Sequence, residues 1–95
     1  MLFQWDKKKY ELNIEKHNID FEDAKKVFDD YDRINSLDER KDYGEIRYQT
    51  IGQVKSIYGY ILLLVVWTRR GSKIRLISAR PAKSIERRKY DENKN

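Results

Sequence analysis

The run Tyr60-Ile-Leu-Leu-Leu-Val-Val-Trp67 constrains this chain more than any other stretch. Eight apolar residues fall far short of the roughly 20 that a membrane-spanning helix needs. They are also too continuous for a strand with one face in water. The segment Ser56 to Thr68 therefore reads as a central strand, covered on both sides, and such a strand needs neighbours. Glu45 to Gln53 alternates Ile46, Tyr48 and Thr50 against Arg47, Gln49 and Ile51, the pattern of a half-exposed partner. On the other side Arg69-Arg70-Gly71-Ser72 makes a hairpin turn into a third strand, Lys73 to Ser78, whose continuation Pro81 blocks.

The flanking segments carry their own punctuation. Leu2-Phe3-Gln4-Trp5 reads as a short first strand. Asp6 then caps a helix, Lys7 to His17, with an apolar stripe of Tyr10, Ile14 and His17 and a left-handed-tolerant Asn18 at its end. A second helix starts at Asp20, buries Phe21, Ala24, Val27 and Phe28, and ends at Asp29-Asp30. Residues 31–44 are polar, with a short strand at Arg33-Ile34-Asn35 and a turn at Asp42-Tyr43-Gly44. Ala82 to Tyr90 forms a terminal helix, and the polar residues 91–95 are expected to fray. The expectation is a single α+β domain over residues 1–95. It has an antiparallel sheet of three to four strands plus the short N-terminal strand, two N-terminal helices and one C-terminal helix.

The composition narrows the chemistry. Cysteine is absent, which excludes disulfides, thiolate zinc sites and cysteine nucleophiles, and one histidine cannot build a histidine-based metal site. No metal and no cofactor are expected. The start of the chain carries no charged-then-apolar leader, so a cytoplasmic location is expected, with no membrane partner.

The formal net charge of +5 hides an asymmetry. Residues 1–50 hold 10 Lys/Arg against 13 Asp/Glu, whereas residues 51–95 hold 11 against 3, a net +8. Lys73 and Arg75 share one strand face and Arg80 follows; Lys83 and Arg87 stack at i, i+4 on the terminal helix, with Arg88 beside them. Arg69 and Arg70 occupy the turn. These cations either form solvated faces partnered by Glu86, Asp91 and Glu92, or converge on one groove for a polyanion. Three acids cannot neutralise eleven bases, which favours the groove and an RNA ligand.

Cleaving RNA through its own 2′-hydroxyl needs a base, cations on the phosphorane and an acid for the leaving oxygen. Arginine suits the middle role because its planar fork holds two phosphate oxygens. His17 suits either proton role; the alternative is a helix-terminal histidine favoured by the dipole. Tyr90 is a candidate proton donor, or else a core tyrosine.

Trp5-Asp6, Asn13, Lys16-His17, Phe21-Glu22, Ala24, Val27-Phe28 and Asp30 form an ordered set with Glu45-x-Arg47, Ile51-Gly52 and Thr68-x-Arg70. It continues through Ile74-Arg75-x-Ile77-Ser78-Ala79-Arg80-x-Ala82 and Glu86-Arg87-x-x-Tyr90. Over about residues 2–91 this set resembles the BrnT family of bacterial type II toxins. The resemblance implies a RelE-like fold and a metal-independent endoribonuclease that halts translation. It also implies a BrnA-type antitoxin in a hetero-oligomer, expected as 2:2, which represses its own operon by binding promoter DNA through the antitoxin. Read with the resemblance, the expected catalytic residues are His17, Arg70 and Arg80, and the expected RNA-binding residues are Arg69, Lys73, Arg75, Lys83, Arg87 and Arg88. Asn18 stands where the family commonly has Gly, Arg69 where it often has an acid, and Pro81 where it often has a base. The alternative is a non-catalytic RNA-binding module of the double-stranded-RNA-binding type, whose α-β-β-β-α order is similar. Ala82-Lys83-Ser84-Ile85-Glu86 fits the basic start of such a module's last helix poorly.

Overall fold

The computed structural model describes residues 1–94. The elements run β1 (Leu2–Trp5), α1 (Lys7–His17), α2 (Phe21–Ala24) continued by a 3-10 turn (Lys25–Asp29), β2 (Ile34–Leu37), β3 (Arg47–Ser56), β4 (Gly59–Arg70), β5 (Lys73–Pro81) and α3 (Ser84–Lys94). The apolar run lies in β4, third in a five-stranded sheet ordered β1-β5-β4-β3-β2. From Leu62 to Trp67 it is covered on both sides as its continuity requires, while Tyr60 and Ile61 at its start are exposed. Leu63, Val65 and Trp67 pack under Phe21, Ala24, Val27 and Phe28, while Leu62, Leu64 and Val66 cluster with Ile51 and with Tyr90 of α3. The N-terminal helices thus cover one face and α3 the other.

The α+β class holds, with five strands where three to four plus the short N-terminal strand were expected, but the sheet is mixed and not purely antiparallel. β2 to β5 pair antiparallel, whereas β1 lies parallel to β5, from Leu2 opposite Lys73 to Trp5 opposite Leu76. Alternation within a strand reveals which residues share a face and is silent on the direction of a neighbour that is distant in sequence.

The second helix is one α-helical turn that tightens into a 3-10 turn, which sets Val27 against Gly52 of β3. A Cβ on Gly52 would lie 2.8 Å from the Val27 Cβ, so glycine is required there by contact with a packed side chain. β5 runs through Pro81, beyond the expected stop at Ser78. Pro81 takes the final position, opposite Leu63, where its missing N–H interrupts no further ladder, and Ala82 N–H then donates to the Leu62 carbonyl at 2.9 Å. α3 begins at Ser84, with the Glu86 carboxylate accepting the Lys83 N–H at 2.8 Å. It continues to Lys94, four residues past the expected end at Tyr90; Asn95 lies outside the described residues.

α1 is capped as its sequence predicts: Asp6 accepts the Lys9 N–H, and Asn18 closes the helix in the left-handed region at φ 56°. Its inward stripe differs. Asn13 is the buried residue of α1 and Ile14 is exposed, because the Asn13 amide has partners in β5.

Candidate functional site

β1 pairs with β5 only as far as Leu76, so residues 77–81 form an edge with no strand beside it. The side chain of Asn13 takes the place of that missing strand. Its Oδ1 accepts the Ala79 N–H at 3.0 Å and its Nδ2 donates to the Ala79 carbonyl at 2.9 Å. Nδ2 also donates to the Ile19 carbonyl at 2.9 Å. A single amide satisfies backbone groups that would otherwise be buried without partners. It also fixes α1 against β5, with His17 one helical turn beyond the clasp.

A bulge rearranges the charges on the same stretch. Trp67 of β4 lies opposite Leu76, but Val66 lies opposite Ser78, which leaves Ile77 as an extra residue. Strict alternation would send Arg75 and Arg80, five residues apart, to opposite faces. With the extra residue, Arg75 pairs with Thr68 and Arg80 with Leu64, and those two β4 residues share a face. Lys73, Arg75, Ser78 and Arg80 therefore all lie on the α3 side. Glu86 grips Arg80 through two bonds, from Nη1 at 2.8 Å and from Nη2 at 2.7 Å, and both side chains are largely shielded. The Arg80 bonds hold the Glu86 carboxyl below its ordinary range.

Between α1 and this edge opens a cleft of about 720 Å³, lined by Lys16, His17, Ser78 and Arg80 among others. Burial, and then the nearby charges of Lys16 and Arg80, push the His17 imidazole below its ordinary pKa of 6.5. His17 is thus neutral at neutral pH, with an unprotonated nitrogen, in a cleft that carries fixed positive charge.

The cleft also contains Arg40, from the segment joining β2 to β3. Residues 38–46 form a strap that is held by polar contacts. Asp38 N–H donates to the Arg47 carbonyl at 2.8 Å, and Thr68 Oγ1 donates to the Ile46 carbonyl at 2.6 Å. Glu45 bridges Arg47 at 3.1 Å and Arg70 at 3.2 Å, and the Arg47 guanidinium sits 4.1 Å from the Tyr43 ring centroid. Arg40 donates to Asp38 from Nε and Nη2, both at 2.7 Å.

The family model for the ribonuclease toxin BrnT of type II toxin–antitoxin systems matches residues 5–86. The chain belongs to the BrnT family. Comparison with curated proteins gives no match. The matched span contains every cleft residue named above and ends at Glu86, the partner of Arg80. Arg87, Arg88 and Tyr90 lie beyond it. Among the described residues no helix is long and apolar enough to cross a membrane, and no group of three His, Cys, Asp or Glu residues is placed to hold a metal ion.

Of the BrnT site residues expected from sequence, the cleft gathers His17 and Arg80. Arg70 lies at the β4–β5 hairpin, bonded to Glu45 of the strap. Arg69 and Arg70 are consecutive in one strand and so point to opposite faces, Arg69 opposite Ile74 and Arg70 opposite Lys73. Lys83, Arg87 and Arg88 are exposed on or beside α3. Tyr90 is buried in the core beneath α3, with its hydroxyl donating to Asp30 Oδ2 at 2.7 Å. Burial, and then that bond, raise its pKa well above the usual tyrosine value. Sequence reasoning gave no site role to Lys16 or Arg40. Lys16 has a signal in its place beside His17 within the family signature, whereas Arg40 sits in a segment without periodicity.

Proposed function

We propose that this BrnT-family chain is a RelE-like, metal-independent endoribonuclease that cleaves RNA and inhibits translation. One observation carries the reading: His17 lines the same cleft as Arg80 and Lys16. His17 takes the proton of an RNA 2′-hydroxyl, and the freed oxygen attacks the adjacent phosphorus. Arg80, oriented by Glu86, and Lys16 stabilise the charge that develops on the phosphorane. The P–O5′ bond breaks to leave a 2′,3′-cyclic phosphate and a 5′-hydroxyl, the leaving oxygen taking its proton from water in the open cleft. Arg70, Lys73 and Arg75 at the hairpin end, with Lys83, Arg87 and Arg88 near α3, supply the field that draws the RNA backbone to the cleft. Arg69 contributes from the opposite face.

A cytoplasmic protein of this kind needs its cleft covered. A BrnA-type antitoxin, in a 2:2 assembly that represses the shared operon through antitoxin–DNA contacts, completes the proposal. The test is cleavage of a defined RNA with and without EDTA, followed by analysis of the product ends. Cleavage that survives EDTA with cyclic-phosphate and 5′-hydroxyl ends is expected, with losses of about 10²-fold or more in His17→Ala and Arg80→Ala. EDTA-abolished cleavage that leaves 5′-phosphates would overturn the mechanism.

A further inference from the structure

The strap poses a physical question that stability alone does not answer. The Asp38 side chain is 0% exposed, yet its partner Arg40 is 58% exposed. Burying a carboxylate is costly, and pairing it with a half-exposed guanidinium returns little net stability. Asp38 is nevertheless held ionised, well below the usual carboxylate range, by two Arg40 bonds, against desolvation, with the Tyr43 hydroxyl donating at 3.1 Å.

The geometry is that of a mount. Asp38 engages the Nε–Nη2 edge of Arg40 and the Tyr43 hydroxyl lies close to the same guanidinium, while Nη1 and the outer N–H of Nη2 make no further hydrogen bond of 3.5 Å or less among the described residues. Those two donors form a second fork of the kind that takes two phosphate oxygens at once. Arg40 lines the cleft that holds His17 and Arg80. The strap that delivers it is pinned by Thr68 and by the Glu45–Arg70 pair. From this arrangement we infer that Arg40 binds a phosphate of the RNA strand lying in the cleft, with Asp38 as the residue that positions it. The inference rests on the ribonuclease reading. It adds a substrate-binding group from the β2–β3 segment and makes Arg70 a positioning residue acting through Glu45.

Binding and cleavage are measured separately. A fully 2′-O-methylated RNA oligonucleotide lacks the nucleophile, so its affinity for the intact protein can be followed by fluorescence anisotropy over a salt series. Removing one phosphate contact to a single strand should lower the slope of log K against log salt by about 0.7. Arg40→Ala is expected to show that drop with about tenfold weaker binding at low salt. Arg40→Lys should keep the slope, because it keeps the charge, and still lose about tenfold in kcat/KM on cleavable RNA because it lacks the fork. Asp38→Asn should likewise keep the slope and lower kcat/KM. Wild-type slope and affinity in a folded Arg40→Ala variant overturn the inference while leaving the ribonuclease reading intact. Should Arg40→Ala not fold, wild-type kcat/KM in Arg40→Lys overturns it equally. A wild-type protein that neither binds nor cleaves RNA overturns both.

Discussion

Replacing Asn13 with alanine should damage this protein more than any exposed substitution, and the size of the effect follows from the clasp. Three hydrogen bonds of 2.9–3.0 Å disappear, two to the fully buried Ala79 and one to Ile19. Each is worth about 1 kcal/mol net, and each orphaned backbone group costs a further ~1–3 kcal/mol when water cannot reach it. The adjacent cleft is open, so water partly relieves the orphaned groups, and the expected loss is about 3–4 kcal/mol. Set against a total stability of roughly 5–15 kcal/mol, that is a large fraction. At roughly 4–8 °C per kcal/mol for a domain of this size, Tm should fall by at least about 12 °C.

Asn13→Asp is the sharper variant. It keeps the volume and the acceptor facing Ala79 N–H, but it turns a carboxylate toward two carbonyls, and it should destabilise at least as much. Urea unfolding, followed through the fluorescence of Trp5 and Trp67, measures both variants. A loss below about 1 kcal/mol at unchanged m would mean that α1 is held to β5 by something other than this amide, and that the placement of His17 has been misattributed.

Three further outcomes are expected. Cleavage should rise with pH along an acid limb centred below 6.5, because burial, Lys16 and Arg80 depress the His17 pKa; a limb centred above 6.5 would count against His17 as base. Tyr90→Phe should cost about 1–2 kcal/mol of stability and leave kcat unchanged, since the hydroxyl bonds to Asp30 far from the cleft chemistry. A large fall in kcat would restore Tyr90 as proton donor. The same substitution carries a pH signature. Burial raises the Asp30 pKa, but Tyr90, Gln53 N–H and Asp32 N–H outweigh it, and the net value lies below 3.8. That stabilisation is present above pH 3.8 and is lost as pH falls through the folded-state value, so the stability gap between wild type and variant should narrow in acid. Association with the antitoxin should slow markedly between low and physiological salt, because exposed cations govern encounter rates; a salt-independent on-rate by surface plasmon resonance would place the antitoxin off the basic face.

The elements that were legible in the sequence are those whose stabilisation leaves a periodic or capping trace. The run to Trp67 announced a doubly covered strand, and Asp6, Asn18 and Asp20 marked helix ends where they occur. The strap left no such trace because polar side chains hold it in place of an apolar face. Asp38, Arg40, Tyr43 and Glu45 read as an ordinary solvated loop until their pairings are seen, and Arg40 was invisible as a site residue for that reason. Tyr10 and His17 were placed correctly on the inner side of α1. The residue between them that matters most is an asparagine, which a search for apolar stripes passes over.

Counting charges found the basic half and misjudged how it is divided. Arg69 and Arg70 look like one cluster and are split across the sheet, while Arg75 and Arg80 look mismatched in parity and are united by one extra residue. That extra residue falls within Ile77-Ser78-Ala79-Arg80, part of the ordered set that carries the family resemblance, and each position there has a physical task. Ile77 is the bulge that resets the face. Ser78 lines the cleft. Ala79, fully buried, presents both backbone groups to the Asn13 clasp, where the limited space favours a small side chain. Arg80 arrives on the α3 side, where Glu86 can hold it at two points. Were Ile77 held in regular alternation and not bulged out, every charge would be kept and Arg80 would fall on the opposite face from Arg75. In this sequence Arg75 and Arg80 share a face only because the third long strand departs from regular alternation at one residue.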